Sequence, residues 1–525
     1  MALIKEEQIK ADKHPFDAWD DLIRASREGF ASIQPENFLR FRWFGIYQQR
    51  PKTDPYFMLR LKLPGGRLNA TQLRVVAEVA RDYGHGIADI TTRQNFQFHW
   101  LTIEKVPEVL KKFEAVGITT RGACGDVTRN ITGSPLAGLE LEEVDDLQDV
   151  IETLHQKLIR DAGLSNLPRK FKISITGSLK NAAQPEINDV GIYGFWKDAA
   201  KKTPAFAMRV GGGLSSHPVF SKPLPVALKR EDLIPAVLAA LGIFHDLGNR
   251  GNRREARMKF LVEAWGVEKF LLEMEKRAGH SFGSFEKIPE VQNEREHLWG
   301  VIPQKQKGLY AVGLAVLAGR LQAGELLALA DLSERYGSGE FRTTNRQNIL
   351  IVNIPEKNLE ALKKKLATRG FDLGAHGLYR SLVVCTGREF CNLALVEVKV
   401  FSKKLIEQLT KIFPDLRETL TIHVTGCPNS CGQYQLADIG LMGATKVVAG
   451  ARRDVFHIAV GAKAGEGELW SRPIFSAVLA EDVPQVIAKI IRVYLAKRDT
   501  LEGFGDFCGR FSQHDLIPLF DPAEQ

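Results

Sequence analysis

The sequence predicts an internally duplicated α+β protein whose sheets have α/β character. Three observations lead to this fold class. The chain aligns with itself at a shift of 253 residues, it does so again farther on at a shift of 249, and runs of strand period alternate with runs of helical period in each copy. With 525 residues, 44% of them hydrophobic, the chain is long enough for several cores and for about two to four domains.

The first repeat pairs residues 66–95 with residues 319–348 without a gap. Many identities at one fixed spacing indicate a duplicated unit rather than chance similarity. In the first copy, the identical positions are Gly66, Arg67, Leu68, Ala70, Leu73, Ala77, Tyr83, Gly84, Gly86, Thr91, Arg93, Gln94 and Asn95.

Each copy predicts the same order of elements. An extended run comes first, from Tyr56 to Leu63 and from Gly308 to Leu317. A helical stripe that includes Leu73 follows, a Tyr-Gly-x-Gly turn ends it, an alternating strand comes next, and a second helix closes the unit. We expect the two βαβα halves to pair into one sheet around a pseudo-two-fold axis.

The second repeat pairs residues 173–194 with residues 422–443, and its copies differ after a shared Thr-Gly. The second copy continues with Cys427-Pro-Asn-Ser-Cys431, whereas the first copy has no cysteine there and carries Arg169-Lys170-Phe171-Lys172 ahead of its strand. We therefore expect one half to be specialised for a metal and the other for anions. The two halves should face each other across the pseudo-two-fold axis.

Four of the six cysteines cluster in the sequence, at Cys385, Cys391, Cys427 and Cys431. Their C-x5-C and C-x3-C spacing supplies the four thiolates of a [4Fe–4S] cluster, and neighbouring glycines let the backbone wrap closely around it. A structural zinc site and buried structural thiols remain alternatives, although zinc usually has tighter pairs. Disulfides are a poor interpretation for a long chain without a secretory signal.

Several cations alternate in the predicted strands of the first half. Arg60 and Lys62 lie in one predicted strand with both side chains on one face, and Lys170 and Lys172 alternate around Phe171. A single pair of this kind is usually an exposed strand face, but several pairs in one half indicate a convergent anion site. The basic set is Arg60, Lys62, Arg93, Arg129, Lys170 and Lys172.

The composition excludes several classes of protein. Lys and Arg outnumber Asp and Glu by 71 to 63, yet no nucleic-acid-binding motif accompanies this charge. No strand–GxGxxG–helix unit for a nicotinamide or flavin cofactor is present, so the electrons for a redox reaction would come from another protein. The N-terminus lacks a signal peptide and no apolar run reaches membrane length, so we expect a cytoplasmic protein without membrane contact.

Five segments carry a resemblance to a known family. They are Thr92-Arg-Gln-Asn-Phe-Gln-Phe-His99, Arg129-Asn130, Leu167-Pro-Arg-Lys-Phe-Lys172, Thr386-Gly-Arg-Glu-Phe-Cys391 and Thr425-Gly-Cys-Pro-Asn-Ser-Cys431. Together they resemble the sirohaem-containing nitrite and sulfite reductases, from about residue 40 to 510. This resemblance includes the family's internal duplication, and it implies ferredoxin-like half-domains plus two domains that bind sirohaem and the cluster.

The resemblance implies a six-electron reduction of sulfite to sulfide, or of nitrite to ammonia, at a sirohaem coupled to a [4Fe–4S] cluster. It makes Cys385, Cys391 and Cys427 cluster ligands, and makes Cys431 the ligand whose sulfur also binds the sirohaem iron. Positions that match the family's substrate-binding cations are Arg60, Arg129, Lys170 and Lys172. Positions that match sirohaem-binding or pocket-lining residues are Arg93, Gln97, His99 and Arg169.

Position 172 favours sulfite. Sulfite reductases of this family tend to carry Lys-x-Lys there, whereas many plant-type nitrite reductases carry Lys-x-Asn, and this chain has Lys170-Phe171-Lys172. We expect ferredoxin as the electron donor and a monomeric protein. Nitrite is the alternative substrate, and a non-catalytic iron–sulfur or zinc protein is the remote alternative function.

The predicted domains follow the repeat. They are an N-terminal extension that wraps the core (1–48), a first ferredoxin-like half-domain (49–118), a sirohaem- and substrate-binding domain (119–290), a second half-domain (300–372), and a domain that binds the cluster and sirohaem (373–525).

Overall fold

The computed structural model describes residues 3–198, 200–292, 298–416, 418–465 and 467–520. These residues form four five-stranded sheets flanked by helices. The architecture confirms the predicted α+β class and its duplication. No helix in the described part of the chain is long and apolar enough to cross a membrane.

The first repeat copy follows three N-terminal helices. Its long helix begins after Asn69, whose side chain forms a capping box with Gln72, and ends at Tyr83, where the Tyr-Gly-x-Gly motif predicted a stop. The elements are α1 (Lys5–Asp12), α2 (Trp19–Glu28), α3 (Asn37–Arg40), β1 (Ile46–Gln48), β2 (Tyr56–Arg60), β3 (Arg67–Asn69), α4 (Ala70–Tyr83), β4 (Ile87–Ile90), β5 (Phe96–Thr102) and α5 (Val106–Glu114).

The next part of the chain builds a mixed sheet in the order β10-β9-β8-β7-β6. The last three strands in this order are parallel, and the first two pair antiparallel. Its elements are β6 (Thr132–Gly133), α6 (Gln148–Arg160), β7 (Ile173–Thr176), β8 (Val190–Trp196), β9 (Pro204–Val210), β10 (Lys222–Pro223), α7 (Leu233–Leu247) and α8 (Met258–Ala278).

The second half of the molecule repeats both units in the same order. Its second sheet again joins parallel strands to an antiparallel extension. The elements are β11 (Gly300–Pro303), β12 (Leu309–Leu314), β13 (Arg320–Gln322), α9 (Ala323–Tyr336), β14 (Glu340–Thr343), β15 (Ile349–Pro355), α10 (Leu359–Ala367), α11 (Gly377–Arg380), β16 (Leu382–Val384), α12 (Lys399–Ile412), β17 (Ile422–Thr425), β18 (Ile439–Val448), β19 (Ala451–Val460), β20 (Arg472–Leu479), α13 (Val483–Lys497), α14 (Phe504–Gly509) and α15 (Gln513–Phe520).

The two copies of the first repeat do not share one sheet, so that expectation is wrong. Each copy builds its own antiparallel sheet and gives one short strand to the other: β13 pairs with β4, and β3 pairs with β14. Side-chain periodicity predicts which residues are extended, but it does not select the neighbour of a three-residue edge strand. The exchange interlocks the two copies around the axis.

Pairs of equivalent glutamines mark the pseudo-two-fold axis. The amides of Gln184 and Gln433, which the second repeat aligns, hydrogen-bond to each other at 2.9 and 3.1 Å. Gln94 and Gln347, which the first repeat aligns, each donate to two backbone carbonyls and accept from one backbone N–H. The two halves therefore face each other across the axis, as the repeats predicted.

Polar contacts hold the N-terminal helices against the rest of the chain. The buried Lys10 ammonium donates to the Leu167 carbonyl at 2.9 Å, and Arg250 pairs with Glu7 at 2.8 Å. Strand β1 extends the first antiparallel sheet beside β2. The N-terminal segment thus contacts two neighbouring units, while the domain boundaries drawn from the sequence stay predictions.

Candidate active site

Two neighbouring loops carry the four clustered cysteines. Strand β16 leads into the loop with Cys385 and Cys391, and its parallel neighbour β17 leads into the loop with Cys427 and Cys431. Parallel strands end at the same edge of a sheet, so the two loops begin side by side. The backbone N–H of Gly426 donates to Cys385 Sγ at 3.2 Å, which joins the loops directly.

Two glycines let these loops close tightly. A Cβ at Gly432 would lie 2.2 Å from a backbone carbonyl oxygen of β17, so no larger residue fits without movement of the backbone. Gly387 has a φ of +80°, in the left-handed region, and a Cβ there would lie 2.8 Å from a valine methyl group. Both positions therefore require glycine for close packing within the loops, while their role around a cluster stays a prediction.

The four thiols lie close enough to interact electrostatically. Burial raises the pKa of Cys385 to about 12 and raises the pKa values of Cys391 and Cys427, and the neighbouring Cys431 raises all three further. In the described part of the chain, no three Cys, His, Asp or Glu side chains converge as ligands of a single metal ion.

A cavity of about 150 Å³ opens beside the cysteine loops. Cys385 and Cys431 line it, together with residues from both halves of the molecule. None of the described residues that line the cavity is Asp or Glu. The cations that line it are Arg60, Arg93, Arg129, Lys170, Lys172, Arg257 and Lys399.

Neutral partners hold two of these cations. Arg60 lies at the end of β2, and its Nη2 donates to Gln97 Oε1 at 3.0 Å. Gln97 donates in turn to Thr386 Oγ1 at 2.8 Å, which links the arginine to a cysteine loop. Arg129 Nε and Nη2 both donate to the Gly125 carbonyl, at 3.0 and 2.8 Å. Because these partners carry no charge, both guanidinium groups keep their full charge for an anion.

Lys170 and Lys172 precede β7 and line the cavity. Burial, followed by the nearby Arg257, lowers the pKa of Lys170 to about 7. Burial, Arg93 and Lys170 together lower the pKa of Lys172 well below its usual value. Like charges that crowd one cavity repel each other, so an anion bound among them is strongly stabilised.

The expectation that Arg60 and Lys62 share one face of a strand is wrong. Strand β2 ends at Arg60, and Lys62 forms an isolated β-bridge with Thr119 instead of continuing that strand. The buried Lys62 ammonium donates to the Thr128 carbonyl at 3.2 Å and lines a neighbouring groove instead of the cavity.

Two other predicted residues lie outside the cavity lining. Arg169 pairs with the buried Asp126 at 3.2 Å. His99 lies 3.6 Å from the Asp89 carboxylate and stacks on Phe390, with ring centroids 3.7 Å apart. Burial lowers the pKa of His99 to about 4. The remaining predicted cations and Gln97 line the cavity as expected, although their roles stay predictions.

Sequence reasoning missed Arg257 and Lys399. Arg257 immediately precedes α8 and pairs with the buried Asp189 at 2.8 Å. Lys399 begins α12, and its ammonium donates to the Ala318 carbonyl at 2.6 Å. Neither residue lies in an alternating strand, so no local pattern separated it from the many surface cations.

Unpartnered polar atoms also indicate a bound group. Arg60 Nε, Asn130 Oδ1 and Ser430 Oγ belong to residues that line the cavity, and each is buried without a hydrogen-bond partner in the described structure. Buried polar atoms are nearly always satisfied. Arg60 Nε and Ser430 Oγ can donate, so together with the cations of the lining they fit a group that carries several negative charges, whereas Asn130 Oδ1 can only accept from a donor.

Two known protein-domain families match this chain, and each matches it at two separate segments. Residues 124–282 and 377–506 match the nitrite and sulphite reductase 4Fe-4S domain, and residues 49–116 and 302–369 match the nitrite/sulfite reductase ferredoxin-like half domain. The chain belongs to the nitrite and sulfite reductase family. It is therefore an oxidoreductase with duplicated ferredoxin-like half-domains and two 4Fe–4S-type domains, which confirms the family and fold expected from its motifs.

Several known proteins are similar to this chain over nearly its whole length. The assimilatory ferredoxin-dependent nitrite reductase of Haloferax mediterranei is 36% identical, over 99% of this chain and 94% of that protein. Sulfite reductase (ferredoxin) 2 of Mycolicibacterium paratuberculosis is 34% identical, over 94% of this chain and 92% of that protein. The solved structure of the Mycobacterium tuberculosis NirA protein matches with a TM-score of 0.92 and 32% identity, over 98% of both chains.

Proposed function

We propose that this chain is a ferredoxin-dependent sulfite reductase that uses a sirohaem beside a [4Fe–4S] cluster. The observation that carries the proposal is the pair Lys170 and Lys172, which lies with Arg60 and Arg129 in a cavity whose described lining contains no acidic side chain. Sulfite bears up to two negative charges on three oxygens, whereas nitrite bears one on two. A second lysine therefore stabilises sulfite more than nitrite.

The donor set of the cavity suits sirohaem, which is a macrocycle with several carboxylates. Arg93 and Arg257 are cations of the lining that would bind carboxylates, and the exposed Cys431 is the thiol available to an iron. When bound, sirohaem supplies an iron that accepts electrons from the cluster and passes them to the oxyanion. Cys385, Cys391, Cys427 and Cys431 would hold the cluster.

The residues of the chain then bind the substrate and supply protons. The guanidinium groups of Arg60 and Arg129 would hold the oxyanion, because their neutral partners orient them without cancelling their charge. The Nζ atoms of Lys170 and Lys172 would donate protons as the oxygens leave as water. Sulfite consumes six electrons and seven protons to give hydrosulfide and three waters, so repeated proton donation is essential.

Two observations support ferredoxin as the electron donor. The chain lacks a nicotinamide- or flavin-binding fingerprint, so its electrons must come from another protein. The relatives from Haloferax and Mycolicibacterium are both ferredoxin-dependent by name.

Steady-state kinetics with reduced ferredoxin test the choice of substrate. We expect kcat/KM to be higher for sulfite than for nitrite, and the reverse order would contradict the proposal. Lys172→Asn should shift the ratio of the two values toward nitrite by about tenfold, because sulfite loses the second ammonium. Lys305→Asn makes the same chemical change at an exposed residue that does not line the cavity, and it should leave the ratio unchanged.

Nitrite reduction is the second candidate function. The Haloferax relative, whose name assigns it to nitrite, is slightly more similar to this chain than the named sulfite reductase is. If nitrite is the substrate, Lys172→Asn should leave nitrite turnover intact while it weakens sulfite turnover.

A further inference from the structure

A chain of aromatic contacts connects a cysteine loop with the surface. Phe390, which directly precedes Cys391, contacts Trp100 edge-to-face with ring centroids 4.5 Å apart. Trp100 stacks on His85 at 4.5 Å with an angle of 12° between the rings. Phe390 is buried, Trp100 is half-buried and His85 is exposed, so the contacts run outward from the cluster site.

The internal duplication shows that the fold does not require Trp100. Its equivalent in the second copy is Asn353, and both residues occupy the same irregularity of a strand, with φ of +62° and +59°. The backbone N–H of Trp100 donates to Gln49 Oε1 at 3.0 Å, and that of Asn353 donates to Gln304 Oε1 at 2.8 Å. The backbone is thus the same in both copies, and only the first copy has an aromatic side chain there.

Phe390 has a non-aromatic equivalent as well. Its carbonyl accepts from the backbone N–H of Arg50 at 2.9 Å, just as the Leu139 carbonyl accepts from that of Lys305 at 2.8 Å. Around Leu139 the structure has an aliphatic cluster that includes Leu350 and Val352. The aromatic chain therefore occurs on the side of the duplicated fold that bears the cysteines, and aliphatic packing serves on the other side.

The surface around this chain combines apolar and basic groups. Leu393 and Leu395, which follow Cys391 closely in sequence, are 62% and 44% exposed. Arg50 is exposed, and its Nη1 donates to a backbone carbonyl between those leucines at 3.2 Å. We call Arg50, His85, Trp100, Leu393 and Leu395 the entry surface. Apolar side chains with a basic residue beside them are typical of an interface for an acidic protein.

We propose that the entry surface docks a small acidic one-electron carrier protein, whose electrons reach the cluster through Trp100 and Phe390. This inference rests on the proposed function, which requires an external protein donor. In each transfer, the reduced carrier loses one electron and the cluster gains one, with no bond made or broken. Six such transfers supply one reduction of sulfite or nitrite.

A matched pair of charge reversals tests the docking. Arg50→Glu and Lys305→Glu change the net charge equally, and their backbones occupy equivalent positions in the two copies. We expect Arg50→Glu to raise the Kd of the holoenzyme for oxidised ferredoxin about tenfold at low ionic strength, with a smaller effect at high salt. Lys305→Glu should leave the Kd unchanged. Equal effects of both variants would overturn the assignment of the surface.

A second pair of variants tests the electron route. Trp100→Asn introduces the residue of the equivalent position, which tolerates the positive φ, and Phe390→Leu introduces the equivalent leucine. Stopped-flow absorption should show cluster reduction by ferredoxin slowed about tenfold by Trp100→Asn, because a large aromatic anchor is lost. Phe390→Leu changes a buried ring and not the docking surface, so a slower reduction in this variant as well assigns the effect to the route. Reduction by dithionite, which needs no docking surface, should keep its rate. An unchanged rate with ferredoxin would overturn the route.

The two proposals fail in different ways. If the wild-type protein reduces neither sulfite nor nitrite with ferredoxin or with dithionite-reduced methyl viologen, the proposed function is wrong. If methyl viologen supports turnover while the Arg50→Glu and Trp100→Asn variants behave as the wild type does with ferredoxin, only the entry surface is wrong.

Discussion

Asp89 holds several cations together behind the cavity. Arg320 Nε and Nη2 donate to its carboxylate at 2.8 and 3.1 Å, and the Lys399 ammonium lies 3.3 Å away. Burial alone would raise the pKa of Asp89, but Lys399, His99 and Arg320 lower it well below its usual range. The carboxylate is therefore ionised at every working pH, and the buried cations depend on it.

Replacing Asp89 tests this dependence. Asp89→Asn leaves buried cations without their counter-charge, so we expect a loss of stability of about 3 kcal/mol. Thermal denaturation should show an apparent melting temperature several degrees lower. The exposed Asp82, which pairs with Arg81 at 2.7 Å, offers a control, because solvent screens this pair and Asp82→Asn should leave the melting temperature nearly unchanged. Similar losses in both variants would contradict the account.

Lys62 predicts a dependence of stability on pH. Burial, Arg129 and Arg93 lower its pKa to about 7, whereas an unfolded lysine titrates near 10.4. Between these pH values the unfolded chain binds a proton that the folded chain does not bind. The contribution of Lys62 to stability therefore rises with pH across this window. Melting temperatures measured from pH 7 to 10 should rise less steeply in Lys62→Met, and parallel curves would contradict the assignment.

The residues of the site were predictable where local spacing carries the chemistry. The cysteine motifs and the Lys170-Phe171-Lys172 alternation are short-range patterns, and the structure places Cys385, Cys431 and both lysines around one cavity. Arg257 reaches the cavity only because tertiary packing brings α8 there. Lys62 does not line the cavity, because β2 ends at Arg60 and the prediction had extended this strand to Lys62. Local alternation cannot report where a strand stops or which distant helix approaches.

At the scale of elements, two glutamines stabilise the strand exchange. Gln347 donates to the Ile90 and Val384 carbonyls and accepts from the Val384 N–H. Gln94 makes the equivalent contacts on the other side of the axis. Val384 directly precedes Cys385, so Gln347 also supports the start of a cysteine loop.

Gln94 serves as the control for Gln347, because only Gln347 contacts the residue that precedes Cys385. Gln347→Ala and Gln94→Ala each leave three buried backbone groups without partners, so both should lower stability by about 2 kcal/mol or more. Only Gln347→Ala should also loosen the cysteine loop. Iron released to a chelator over time should increase in Gln347→Ala and remain near the wild-type level in Gln94→Ala. Equal release from both variants would contradict the role assigned to Gln347.

The order of the elements was predictable because hydrophobic period and turn residues are local signals. The Tyr-Gly-x-Gly stops end α4 and α9 as the sequence indicated, whereas the capping box at Asn69 that begins α4 was not predicted. The exchange of β3 and β13 was not predictable, because it depends on which chain segment lies beside a short edge strand after folding.

At the scale of the whole molecule, the site arises because the two copies of the duplicated unit carry different residues at equivalent positions. One copy of the second repeat has cysteines after its Thr-Gly, and the other has basic residues ahead of its strand. The pseudo-two-fold axis brings these different loops to one cavity. The same divergence distinguishes the aromatic contacts at Phe390 from the aliphatic packing at Leu139.

The central claim is that the four cysteines hold a [4Fe–4S] cluster beside a cavity that binds sirohaem. Iron and acid-labile sulfide analysis of the anaerobically purified protein, together with its visible spectrum, tests this claim most directly. We predict about five irons and about four sulfides per chain, with haem absorption bands. Zinc in place of iron, or a full cluster without haem bands, would contradict the account.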